Sequence, residues 1–274
     1  MFFSFVSPTV ELSMSPEHPA RSHAINDCWA RCLGECSDKM SKEHIVTEAV
    51  LPESILVRGL HWCAGQPVEI GKANFTRKIL CTKHNSMLSA QADQGAIAMV
   101  KAFHQGAELE SFRKQYKRTQ WTRRQFKVPG RKLESWFLKT LINVVYGQSI
   151  TIGENGDEPG VPPRDLVEIA FGLRRFSDPA GLYTVAIIGD GTPNDGSAEI
   201  ITLGKRKDNV NGAIFHFGGL TNLLYLDNDN RPNPQNFLGH KYPRILQSKF
   251  MYHLYSAKYC IHDRLSHSID FDWR

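Results

Sequence analysis

Residues 28–50, CWARCLGECSDKMSKEHIVTEAV, and residues 81–93, CTKHNSMLSAQAD, decide how the chain is read. A tetrahedral ion of the zinc type is held by pairs of soft or imidazole ligands, each pair close enough in sequence for one tight turn to aim both at the ion. Cys32-Leu-Gly-Glu-Cys36 offers one pair and Cys81-Thr-Lys-His84 the other. Gly34 eases the first turn, because glycine takes positive φ without a steric penalty. Cys28 stands at the same interval before Cys32, so either thiol can complete the set; Cys32 is preferred. Cys63 and Cys260 have no partner at ligand spacing and read as core residues.

Between the two pairs lies Ser41-Lys-Glu-His-Ile-Val, and the order C-x3-C, S-x-E-H-I-V, C-x2-H-N-x2-L-S-x3-D resembles the HNH endonuclease superfamily in its zinc-knuckle variety. Glu43, His44, Cys81, His84, Asn85, Leu88 and Asp93 fall on matching positions, and the resemblance covers residues 28–100. It implies a ββα-metal finger stapled by zinc, in which His44 is the general base and Glu43 a ligand of a catalytic Mg²⁺ or Mn²⁺. Asn85 and Asp93 would complete or orient that cation site. The residue types suit the chemistry: a neutral imidazole can deprotonate water near neutral pH, and a carboxylate beside it can hold a hard cation against the charge growing on a phosphate. One departure is plain, since Asn85 stands where the family usually has a second histidine. The expected activity is a metal-dependent endonuclease acting on DNA, with RNA as the other substrate to consider. The competing expectation is a zinc-knuckle protein that binds nucleic acid without cutting it.

Outward from this module, the expected fold class is α+β, with four segments. Residues 1–25 form an extended lead-in rich in Pro, Ser and His. Residues 26–105 form the zinc module, in which Gly59, Gly65, Pro67 and Gly71 break residues 57–75 into short strands best joined as a hairpin. A helix follows to about Gln105, on the spacing of Met87, Leu88, Ala92, Ile97, Val100 and Phe103. Residues 106–150 form a basic linker and an amphipathic helix through Leu133, Trp136, Phe137, Leu138, Leu141 and Val145. Residues 151–274 form an accessory α+β domain. There the loop TIGENGDEPGVPPRD is a candidate hinge that leads into a helix to about Leu173. The runs LYTVAIIGD, AEIITLGKRK and GAIFHFGGLTNLLYLD read as strands of an antiparallel sheet.

The segment FRKQYKRTQWTRRQFKVPGRK, residues 112–132, has no acidic residue. Arg113, Lys114, Lys117, Arg118, Arg123, Arg124 and Lys127 are the candidate phosphate contacts, and Tyr116, Trp121 and Phe126 are candidate stacking partners for bases. The 274 residues are 41% hydrophobic and carry a net charge of +5, enough for a sizeable core and permissive of a polyanionic partner. No apolar run approaches the roughly eighteen residues of a membrane span, and the first residues lack a signal-peptide pattern, so a cytoplasmic protein is expected. Gly153-Glu-Asn-Gly156 and Gly189-Asp-Gly191 lack the Lys-Ser/Thr ending of a phosphate loop and read as turns.

Overall fold

The computed structural model describes residues 27–51, 54–57, 68–116, 124–185, 198–204, 208–217, 220–228, 250–253 and 267–274. Strand β1 (Met40–His44) hydrogen-bonds antiparallel to a strand β4 (Thr76–Cys81), and β4 runs directly into helix α1 (Thr82–Leu88). Met40 lies opposite Cys81 and His44 opposite Thr76, with an irregularity between Ser41 and Glu43. The excursion between them holds the expected hairpin, β2 (Ser54–Val57) paired with β3 (Val68–Gly71). Cys63 lies outside the described residues.

After α1 the chain makes one π-helical turn, Ser89–Asp93, and continues as α2 (Gln94–Tyr116). The helix therefore runs well past Gln105, and the boundary drawn at 105/106 falls inside α2. Gly106 disfavours a helix by about 1 kcal/mol, but Ala107, Glu108, Leu109 and Glu110 are strong helix formers and carry it through. Near its start, Gly95 packs on the next helix so closely that a Cβ there would stand 2.3 Å from the backbone nitrogen of Leu133. Only glycine permits that approach.

That next helix, α3 (Gly130–Val145), differs from the amphipathic helix expected. Every residue from Leu133 to Val145 is buried, because α2, the π turn before it and other helices and strands pack around the helix. Several of its polar residues find partners inside the protein: Glu134 Oε1 accepts from the Leu182 amide at 3.1 Å, and Ser135 Oγ donates to the Ile169 carbonyl at 3.2 Å, whereas Thr140 Oγ1 is buried with no partner among the described residues. Strand β5 (Arg124–Pro129), in the middle of what reads as a basic linker, pairs in parallel with β13 (His267–Asp272), which also pairs with β12 (Phe250–His253).

The remaining elements are β6 (Thr151–Ile152), α4 (Arg164–Ala170), β7 (Gly181–Val185), β8 (Ala198–Leu203), β9 (Asn209–Val210), β10 (Gly212–Phe217) and β11 (Leu220–Tyr225). The antiparallel sheet expected here is present, in the order β7-β11-β10-β8. Its third run of sequence supplies two strands, β10 and β11. Phe215 of β10 meets Phe137 of α3 with ring centroids 4.8 Å apart, which seats the sheet on the central helix. The candidate hinge is tied by backbone bonds from Gly147 to Gly160 and from Gly160 to Ile150, at 2.9 and 2.7 Å. The fold is α+β, with one buried apolar cluster extending from Cys28 to Trp273. Among the described residues no helix is long and apolar enough to cross a membrane.

Candidate metal centre and the buried ion cluster beside it

Four side chains from three stretches converge at the junction of β4 and α1. Nδ1 of His84 lies 3.3 Å from Cys28 Sγ, 3.6 Å from Cys36 Sγ and 3.3 Å from Cys81 Sγ. All four ligand atoms fall within 4.8 Å of one another. A ring nitrogen has a single in-plane position for a hydrogen bond, so bonding within the protein accounts for one of these approaches and not three. A tetrahedral zinc with bonds of about 2.3 Å to sulfur and about 2.0 Å to nitrogen separates such atoms by roughly 3.5 Å. The cluster fits that geometry and can hold a metal ion such as zinc.

The set differs from the one preferred on spacing, because Cys28 takes the place of Cys32. The amide of Trp29 donates to the Ile79 carbonyl at 3.0 Å, which fixes Cys28 alongside β4. The chain then makes a 3₁₀ turn, Arg31–Leu33, whose Cys32 is exposed, and reverses through Gly34 and Glu35, both at positive φ, to bring Cys36 back. Gly34 thus has the role that the sequence suggests.

Electrostatics bear on how the ligands hold an ion. Burial pushes the Cys28 thiol up to about 12 and raises Cys36 as well. Burial also pushes Cys81 up, but hydrogen bonds from the His84 and Ser37 backbones bring it down to about 7, the opposite result from its neighbours. Burial lowers His84, which favours the neutral imidazole a metal needs. Phe171 closes the site edge-on, 5.5 Å from the His84 ring and 5.8 Å from Trp29.

The residues read as the reacting centre lie beside this cluster. His44 ends β1 with its side chain 28% exposed, its Nε2 3.6 Å from Glu48 Oε2, and its Nδ1 buried without a hydrogen-bond partner among the described residues. Asn85, directly after the ligand His84, donates from Nδ2 to Ser41 Oγ at 2.7 Å and so stitches α1 to β1. Glu43 and Asp93, the expected ligands of Mg²⁺ or Mn²⁺, are both buried and meet at Lys139 of α3. Lys139 Nζ is 2.5 Å from Glu43 Oε1 and 2.9 Å from Asp93 Oδ1. Asp93 Oδ1 also accepts from Thr47 Oγ1 at 2.7 Å, and Thr47 Oγ1 accepts from the Trp136 indole at 2.8 Å.

The Lys139 ammonium thus lies between the two carboxylates expected to hold the divalent cation. Spacing and motif do not single out Lys139, Thr47, Glu48 or Asn143. The available signal was a lysine inside the apolar run Trp136-Phe137-Leu138-Lys139-Thr140-Leu141.

Of the candidate nucleic-acid contacts, Arg124 and Lys127 are exposed on β5, which among the described residues is an outer strand of its three-stranded sheet. Arg113 and Lys114 belong to α2. Lys117, Arg118 and Arg123 lie outside the described residues, as does Trp121. Two further cations of the basic run serve the fold: Arg131 Nε donates to the Trp273 carbonyl and Lys132 Nζ to the Ala90 carbonyl. The chain matches no protein-family model, no curated protein and no solved structure.

Proposed function

We propose that the protein is a zinc-stapled phosphodiester hydrolase of the HNH type, acting on nucleic acid, with DNA the first substrate to test. The observation that carries this reading is the placement of His44. It sits at the end of β1, on an antiparallel pair that passes directly into the helix bearing the candidate staple, with its side chain 28% exposed and its Nε2 3.6 Å from Glu48 Oε2. At that ring nitrogen an imidazole can take a proton from water, with the Glu48 carboxylate beside it to stabilise the imidazolium that forms. The exposed Arg124 and Lys127, with the other cations of residues 113–127, would supply backbone contacts that carry no sequence preference.

A second reading has its own support. Glu43 and Asp93 are taken up by Lys139, which favours a module that binds nucleic acid and does not cut it. Incubating the zinc-loaded protein with plasmid DNA and with RNA, in Mg²⁺, Mn²⁺ or chelator, separates the two. The nuclease reading expects nicking that disappears in His44→Ala while nucleic-acid binding persists. Binding without cleavage under every condition supports the second reading, and cleavage that survives His44→Ala removes His44 as the base.

A further inference from the structure

Lys139 is 1% exposed, in a helix with no solvent-facing side between Leu133 and Val145. A lysine ammonium is rarely buried so fully unless its charge is matched. Here it is over-matched, since two buried carboxylates from β1 and the π turn converge on one nitrogen. Glu43 is 5% and Asp93 8% exposed, so the three groups share one nearly dry compartment.

We infer that the Lys139 ammonium is the resident cation between Glu43 and Asp93, and that the protein takes no divalent ion there. An ion bridging the same two oxygens would have to lie about 2.1 Å from each if it were Mg²⁺. That is the space Nζ fills, and the buried helix offers the ammonium no path to solvent. Mg²⁺ also keeps several of its waters, for which a compartment this closed has little room. Thr47 Oγ1, itself held by the Trp136 indole, donates to the same Asp93 Oδ1 that Lys139 holds, so this oxygen cannot turn toward another cation without taking the acceptor from the Thr47 hydroxyl. The inference concerns the cation alone and stands whether or not the protein cleaves nucleic acid.

The test is a titration of zinc-loaded full-length protein with Mn²⁺, read by the electron paramagnetic resonance of the free ion, for the wild type, Asp93→Asn and Lys139→Ala. Wild type and Asp93→Asn should bind Mn²⁺ equally weakly, and Lys139→Ala should gain a site at least roughly tenfold tighter than either. Wild-type binding that is roughly tenfold tighter than that of Asp93→Asn would overturn the inference. So would a folded Lys139→Ala protein that binds Mn²⁺ no better than wild type. If Lys139→Ala does not fold, the lysine ammonium signals of ¹⁵N-labelled wild type decide. The Lys139 resonance should stay sharp in excess Mn²⁺, and its paramagnetic broadening, with relief in Asp93→Asn, would place the ion at the carboxylates.

Discussion

The indole N–H of Trp29 donates to the side-chain oxygen of Asn143 at 3.1 Å, joining residues 114 positions apart. The same amide turns its nitrogen toward the carbonyls of His44 and Ile45, at 3.4 and 3.3 Å. One side chain of α3 therefore holds both the residue beside the ligand Cys28 and the strand end that carries His44. Asn143→Leu preserves the size and removes all three bonds, leaving the buried indole donor unpaired. The expected cost is about 2 kcal/mol, read as a lower midpoint in urea unfolding, because an unsatisfied buried donor costs roughly 1–3 kcal/mol. An unchanged midpoint would mean that the amide is dispensable.

The staple makes a sharp distinction among neighbouring thiols. Protein purified from Cys28→Ser, Cys36→Ser, Cys81→Ser or His84→Ala should carry little zinc, while Cys32→Ser should match the wild type. Metal analysis by inductively coupled plasma mass spectrometry reads this directly. Removing the ion from wild type with a strong chelator should sharply lower the melting temperature, since structural zinc contributes folding free energy. A Cys32→Ser protein without zinc would return the fourth ligand to the position favoured by spacing.

Removing Lys139 alone should be severe. Lys139→Met keeps the stem and deletes the charge, leaving Glu43 and Asp93 facing each other in a buried site. Breaking a buried ion pair from one side costs roughly 3–5 kcal/mol. Adding Glu43→Gln and Asp93→Asn to Lys139→Met should recover much of that loss in denaturant unfolding. A triple variant no more stable than the single one would show that packing of the lysine stem, and not charge, is what matters.

Glu43 predicts a pH dependence. Burial holds its carboxyl above the ordinary carboxylate range, although Lys139 pulls the other way. The folded state therefore binds this proton more tightly than the unfolded chain does. The contribution of Glu43 to stability must fall as pH rises from the ordinary carboxylate range through its raised value. Melting temperatures of wild type and Glu43→Gln, compared across that range, should show wild type losing ground as pH increases. A difference that runs the opposite way would mean that attraction to Lys139 outweighs desolvation.

Much of the metal site was legible in the sequence, because thiols and an imidazole in close pairs are the ligand set that a tetrahedral ion selects. The choice between Cys28 and Cys32 was not, since both precede the next cysteine by the same interval. It is settled by the bond from Trp29 to Ile79 and by the positive φ of Gly34 and Glu35, which spacing does not encode. Period alone found α3 but misjudged its surroundings: a polar residue on a helix looks the same in sequence whether it faces water or a buried partner. Lys139, Asn143 and Glu134 all face partners. The parallel pairing of β5 with β13 was equally hidden, because Arg124–Pro129 carries the charge of a linker and its partner strand lies far along the chain. The antiparallel sheet of β7, β8, β10 and β11 was readable from its β-branched and aromatic content, although the division of the last run was missed, and the antiparallel pair of β12 and β13 was not read at all.

The π turn at Ser89–Asp93 is an α-helix carrying one residue more than regular winding requires. Loss of a single codon there would restore regular winding and rotate everything after it by about 100° relative to α1. Asp93 would leave Lys139, and Gly95 would leave the backbone it packs against. Descendants of this chain are thus held to a fixed count at residues 89–93, where an insertion or deletion that keeps the reading frame would still dismantle the ion cluster.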